Sequence, residues 1–350
     1  MKILKYLLFF LLIGFVGGSL FLSTLDGTYR VKRTILTKAP IELAFEVVND
    51  YKTWQYWEPW NETNSAVEYS FPAQTVGVDA TFSWKSTGGN GNMENVSSNP
   101  NNSIQDMTYL NGKGTLNGTW QFKEVADGVE ITWEIYGEMP FFTRFKSANM
   151  ETEIGSMLER GLALLEVYLQ NELKKFSIET VGEVNYSGGY YVYQTTSGQF
   201  QDITYKTNEL IVNLTGFLKN NAIMAYGKPF NIYHKRDDLL KMAVFSTGIP
   251  IQNQLILTDK TVMVGILQPQ RTFKTILRGH YDNATIAWET AYKNLEIAGF
   301  KAKENGISFE VFVSNPKEVS NPTKWITEIY IPIEDEITIA PSSALRVKNE

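Results

Sequence analysis

Glu328 lies in the run WITEIYIPI, with Ile326, Ile329 and Ile331 close by in sequence. A carboxylate buried among aliphatic side chains without a partner is costly. A bound cation, or hydroxyl groups donating from aromatic side chains, offsets that cost. Tyr233, Tyr281, Trp288, Phe309 and Tyr330 are the aromatic residues that could gather around such a group. Two plainer readings stand beside this one: Glu328 faces solvent on an edge strand, and Trp288 is ordinary core. Other chemistries find little to work with. The chain has no cysteine, which removes thiol nucleophiles, thiolate metal sites and disulfides. Its two histidines, His234 and His280, are far apart, and neither has a readable nucleophile or ordering partner. No catalytic residue, metal or cofactor is therefore expected, although a carboxylate site stays open. The glycine-rich GGNGN at 88–92 sits in a hairpin-like setting, not between a strand and a helix, and does not resemble a phosphate loop.

Positioning those residues requires more than one core. At 350 residues, with 43% hydrophobic and 20% charged residues, the chain suits two globular domains. Aromatics are plentiful, with 8 Trp, 18 Tyr and 20 Phe, and such side chains both fill cores and line apolar pockets. A net charge of -6 speaks against nucleic-acid binding, which calls for a basic face.

Tyr6–Leu25 is a run of twenty residues without a charge. As a helix it spans about 30 Å, the thickness of the hydrocarbon layer. A cleaved signal peptide is the competing reading, because Lys2 and Lys5 precede the run, but no small-x-small cleavage site follows it. We expect residues 1–26 to be a single-pass membrane anchor. Basic residues lie on both sides, since Arg30, Lys32 and Arg33 follow the span. The favoured orientation keeps a short tail inside and the bulk of the chain in the periplasm or outside the cell.

Residues 27–175 form the first expected domain. Tyr29–Leu36 alternates as a strand does. Pro40 then opens a helix whose apolar positions are Ile41, Ala44, Phe45 and Val48. Five short strands are expected at 66–71, 80–85, 103–109, 118–124 and 129–136, separated by Gly- and Asn-rich turns. A long helix over 150–175 closes the domain, with Ile154, Met157, Leu158, Leu162, Leu165 and Leu169 on one stripe. This order, together with IxKAPIExAFEVVND followed by WxxWEPW, resembles the opening of the SRPBCC superfamily of START and polyketide-cyclase-like proteins. The resemblance implies a helix-grip fold, in which an antiparallel sheet wraps the last helix and leaves an apolar cavity. Trp84, Trp120 and Trp133 are candidate lining residues there, with plain core as their alternative. Trp54, Trp57 and Trp60 are expected to pack the short helices over the sheet.

Residues 176–340 contain an internal repeat. YYVYQTTSG, a helix over 203–218, PFNIYH and a strand ending GIPI are followed by TFKTILRGHY, a helix over 283–298, SFEVFV and a strand ending YIPI. Gly198 to Phe230 spans 32 residues and Gly279 to Phe309 spans 30. Two β-α-β-β units can place both helices on one side of a shared sheet, with a groove on the pseudo-twofold axis. The residues GKPFNIYH, RGHYDNATIAWETAY, FEVF and TKWITEIYIPI resemble the GyrI-like family of effector-binding domains. That resemblance implies binding of small apolar or cationic molecules in an aromatic-lined groove, with Glu328 as the carboxylate by position. Residues 341–350 remain as a tail.

The fold class expected is α+β, a helix-grip domain followed by a duplicated GyrI-like domain. The expected function is a bacterial membrane-anchored sensor or carrier that binds a small hydrophobic or cationic molecule through Glu328, Tyr330, Tyr281, Tyr233, Trp288 and Phe309, and not nucleic acid. The alternatives are a hydrolase or cyclase acting on a small hydrophobic metabolite through Glu328, and an interaction protein whose cavities are filled by its own side chains.

Overall fold

The computed structural model describes residues 2–59, 67–87, 89–110, 114–237, 239–256, 261–314 and 318–334; Trp60 and the tail 341–350 lie outside them. Helix α1 (Lys2–Thr24) comes first. Its residues Ile3–Thr24 are long and apolar enough to cross a membrane, and none of its most apolar stretch is buried by the rest of the chain. A signal sequence near an N-terminus has the same length and composition. The chain divides into two compact units, Met1–Leu173 and Lys174–Glu350.

In the first unit, β1 (Thr28–Thr37) leads to α2 (Ile41–Asn49) and the single turn α3 (Tyr51–Trp54). The strands β2 (Glu68–Ser70), β3 (Thr81–Ser86), β4 (Gly89–Asn99), β5 (Ser103–Leu110), β6 (Gly114–Val125) and β7 (Gly128–Glu138) follow, and α4 (Met150–Glu172) ends the unit. They form one antiparallel sheet in the order β1-β7-β6-β5-β4-β3-β2. The first strand therefore closes against the last, with Arg33 opposite Trp133, and the sheet curls around α4. Pro40 precedes α2 with φ -58, a value its ring imposes, and Asp50 caps α3 by accepting from the Lys52 N–H. Leu158, Leu162, Leu165 and Leu169 of α4 are fully enclosed, which is the spacing of one helix face. Strand β4 corrects the sequence reading, which made its first residues a turn. Pairing with β3 on one side and β5 on the other satisfies the backbone of this Gly/Asn-rich segment. Gly91 is needed there because a Cβ would stand 2.6 Å from the Trp84 ring.

The second unit is built from β8 (Ser177–Tyr186), β9 (Gly189–Gln199), α5 (Ile203–Asn220), β10 (Phe230–Asp237), β11 (Met242–Ile251), β12 (Met263–Leu267), β13 (Gln270–Arg278), α6 (Ala284–Ile297), β14 (Phe309–Phe312) and β15 (Ile326–Pro332). Its sheet runs β12-β9-β11-β10-β14-β15-β13-β8. The two halves of the repeat, β9-β11-β10 and β13-β15-β14, meet at the centre in mirrored order. β12 and β8 are edge strands outside the repeat that the sequence pattern did not reveal. Leu214 and Leu218 of α5 pack on Val192, Ile249 and Ile251. Ala287, Ala291 and Leu295 of α6 pack on Phe273, Leu277, Ile329 and Ile331. The opposite face of the sheet carries its own cluster, in which Phe230, Ile232, Phe309 and Tyr330 join Tyr191 and Leu267.

Candidate ligand cavity and its buried carboxylate

The central strands β10 and β14 pair antiparallel, which sets Asn231 opposite Glu310. Strand alternation sends Asn231, Tyr233, Glu310 and Phe312 to the helix-bearing face and Phe230, Ile232 and Phe309 to the other. A cavity of about 1020 Å³ lies on the helix-bearing face, with Thr207 and Ile211 of α5 on one wall and Tyr281 and Trp288 on the opposite wall. The volume is that of a pocket for a drug-sized molecule.

Glu310 forms part of the cavity lining yet is only 2% exposed. Its Oε1 accepts from the Tyr233 hydroxyl at 2.7 Å and, more weakly, from Asn231 Nδ2 at 3.4 Å; its Oε2 accepts from Trp288 Nε1 at 2.8 Å. Asn231 is itself held in place, because its Nδ2 also donates to Thr207 Oγ1 at 2.8 Å and its Oδ1 accepts from Thr247 Oγ1 at 2.7 Å. Burial raises the Glu310 carboxyl above its ordinary pKa, while the Tyr233, Trp288 and Asn231 donors and the Arg236 charge pull it back only in part. The same surroundings push Tyr233 well above its usual range, through burial first and the Glu310 charge second. Tyr281 is pushed up to about 12, chiefly by burial and then by Glu310. A carboxylate offers about four lone-pair directions, so three donors leave capacity for one more. A positive charge or N–H donor brought there would meet an acceptor whose desolvation has already occurred on folding.

The residues singled out from sequence divide cleanly. Tyr233, Tyr281 and Trp288 line the cavity. Glu328, Tyr330 and Phe309 do not, because β15 presents Thr327 to the cavity and the alternation turns Glu328 to the opposite face. Glu328 is neither isolated among aliphatics nor on an edge strand. It pairs with Lys274 Nζ at 2.8 Å and accepts from the Tyr330 hydroxyl at 2.6 Å, on a strand flanked by β14 and β13. Phe309 stacks on Tyr330 with centroids 4.9 Å apart. The cavity carboxylate is thus Glu310, which the sequence reading missed. A usable signal was present, since FEVF occupies the place in the second half that FNIY holds in the first. A repeat that folds about a central axis brings equivalent strands together there.

In the first unit Trp120 and Trp133 are fully enclosed and stack at 4.4 Å, with Trp54 edge-on to both. Trp57 joins the same cluster, and Trp84 is 8% exposed beside Phe82. Trp54, Trp57, Trp120 and Trp133 pack on one another within the core of this unit, and Trp84 packs on Phe82. His234 bonds Ser246 Oγ at 2.7 Å, while His280 accepts from the Asp282 N–H at 3.2 Å and stacks on Trp325. Among the described residues no group of three or more His, Asp or Glu could hold a metal ion.

Residues 28–170 match the family described as polyketide cyclase / dehydrase and lipid transport, and residues 174–334 match the GyrI-like small molecule binding domain. No curated protein matches the chain. Several solved structures are similar to it. Protein CV1439 from Chromobacterium violaceum is 11% identical, with 41% of this chain and 98% of that chain covered and a TM-score of 0.33. SA2116 from Staphylococcus aureus, described as a protein of unknown function, is 10% identical over 43% of this chain and 98% of that chain, with a TM-score of 0.35. The EcmrR C-terminal domain is 13% identical over 46% of this chain and 98% of its own, with a TM-score of 0.38. The chain therefore joins a domain of the SRPBCC superfamily, of the polyketide cyclase and lipid-transport type, to a GyrI-like small-molecule-binding domain.

Proposed function

We propose that the protein is a membrane-anchored sensor or carrier that takes up small apolar molecules bearing a cation or a hydrogen-bond donor. The cavity of the second unit is the binding site in this reading, and Glu310 is its anchor point. The observation that carries it is a carboxylate 2% exposed at the lining of a cavity of about 1020 Å³, held by Tyr233 and Trp288 with room for one further donor. The aromatic walls supply apolar contact and, for a cation, ring faces that attract it. Helix α1 supplies the anchor, and its apolar length supports that role.

The test is binding of a cationic aromatic dye, rhodamine 6G, against anionic fluorescein of similar size. Glu310→Gln keeps the shape and removes the charge. Its amide oxygen can still accept from Trp288 and its NH₂ can donate to the Tyr233 hydroxyl, while the weak contact with Asn231 Nδ2 is lost. Rhodamine affinity is expected to fall by about 1–3 kcal/mol, the range for a hydrogen bond to a charged group. Fluorescein binding should be weak in the natural chain and no weaker in the variant. Equal rhodamine affinity in the two proteins would remove Glu310 from the site.

A further inference from the structure

Only Leu25, Asp26 and Gly27 separate the apolar helix α1 from strand β1. This junction is tied to a distant piece of sequence, the 3₁₀ segment Phe141–Asn149 between β7 and α4. The Met139 N–H donates to Gly27 O at 2.9 Å, and Ser147 Oγ donates to Asp26 O at 2.9 Å. Gly27 lets the segment lie flush against the junction, because a Cβ there would stand 2.9 Å from Arg144 Cγ. The segment buries none of its own residues. It nevertheless carries three phenylalanines, and Phe141, Phe142 and Phe145 are 36%, 65% and 55% exposed. In a 3₁₀ segment Phe142 and Phe145, three residues apart, share a face, and the Phe141 ring meets that of Phe142 edge-on at 5.3 Å. Isolated exposed apolar residues are ordinary, but three exposed phenyl rings on one nine-residue segment with no core of its own mark a contact surface.

The position says which partner. Phenylalanines held at the end of an apolar membrane-length helix stand at the depth of the membrane interface, where interfacial helices bury Trp, Phe and Leu into the headgroup–acyl boundary. The segment also carries two basic residues: Arg144 lies over the Phe141 ring at 5.5 Å and is paired with Glu138 at 2.9 Å, and Lys146 directly follows Phe145. The three rings make the contact by apolar insertion, to which Lys146 can add attraction where the headgroups are anionic. We propose that Phe141, Phe142 and Phe145 form a second membrane contact, an aromatic foot that enters the headgroup–acyl boundary beside α1 and seats the first unit on the bilayer. This inference rests on reading α1 as a membrane anchor.

The chain has no cysteine, so a single introduced one accepts an environment-sensitive NBD label cleanly. Four variants of the full chain, Phe142→Cys, Phe145→Cys, Ile13→Cys and Leu239→Cys, are reconstituted in phosphatidylcholine vesicles carrying a doxyl-lipid quencher. Leu239 is 96% exposed in the second unit and serves as the water-side reference. Labels at 142 and 145 are expected to be blue-shifted and quenched several-fold more than the label at 239, as the label at 13 is. Quenching at 13 with 142 and 145 behaving like 239 overturns the foot and leaves the anchor standing. Blue-shifted but unquenched labels at 142 and 145 show a protein-covered patch and also overturn it. An unquenched label at 13 overturns the anchor and the foot together.

Discussion

Glu310 and Asp106 are both enclosed carboxylates, and their partners separate them. Glu310 has its donors in place. Asp106 sits between Asn95 and Gly118 on neighbouring strands, and the Asn95 Nδ2 has no hydrogen-bond partner among the described residues. Gly118 makes room for the carboxylate, since a Cβ would lie 2.3 Å from it. Burial pushes the Asp106 carboxyl up to about 7, and the nearby Trp120 indole opposes this only in part. The folded state thus holds this proton more tightly than the unfolded chain does. The stability this group contributes is full below its unfolded value of 3.8 and is lost as pH rises toward about 7. Asp106→Asn keeps the shape without the charge, so near pH 8 it should be more stable than the natural chain by on the order of 2–4 kcal/mol. Near pH 4 the two should melt alike. Parallel pH–stability curves would show that Asp106 is ionised without cost. At this same scale the isoleucines flanking Glu328 say nothing of Lys274, which the neighbouring strand β13 brings alongside.

At the scale of elements, α4 and the sheet of the first unit meet at Gly161. A Cβ there would stand 2.7 Å from Trp133 Cζ3 and 3.2 Å from Pro59 Cδ. Trp133 has nowhere to go, because it stacks on Trp120 at 4.4 Å and is 1% exposed. Gly161→Ala sets two effects against each other. Helix propensity favours alanine by about 1 kcal/mol, whereas overpacking a closed core costs about 1–3 kcal/mol. The second effect should win, with a net loss of up to about 2 kcal/mol read as a lower denaturant midpoint at an unchanged slope. A gain in stability would mean that the aromatic cluster can shift. The element pattern was legible where periodicity was strong, as in the leucine stripe of α4, and illegible in β4, whose glycines and asparagines are strand residues only because two neighbours pair with them.

For the whole molecule, each unit has its own core cluster, and the matched families meet between residues 170 and 174. Fragments 27–173 and 174–334 should each melt cooperatively alone, because each buries its apolar faces internally. Calorimetry on the two fragments checks this, and a fragment without a cooperative transition would show that its core depends on the other unit.

The sequence alone determined the fold class, both family resemblances and the twofold plan of the second unit, because these follow from local periodicity and from a repeat visible along the chain. It also singled out Tyr233, Tyr281 and Trp288, large aromatics that the fold brings to the cavity walls. Only the tertiary structure decided which carboxylate faces them. Glu310 and Glu328 lie on neighbouring strands, one residue out of register, with Val311 opposite Glu328. A one-residue offset in a strand moves a side chain from one face to the other. That parity is set by the pairing of β10, β14 and β15 across the molecule, which nothing within either segment records.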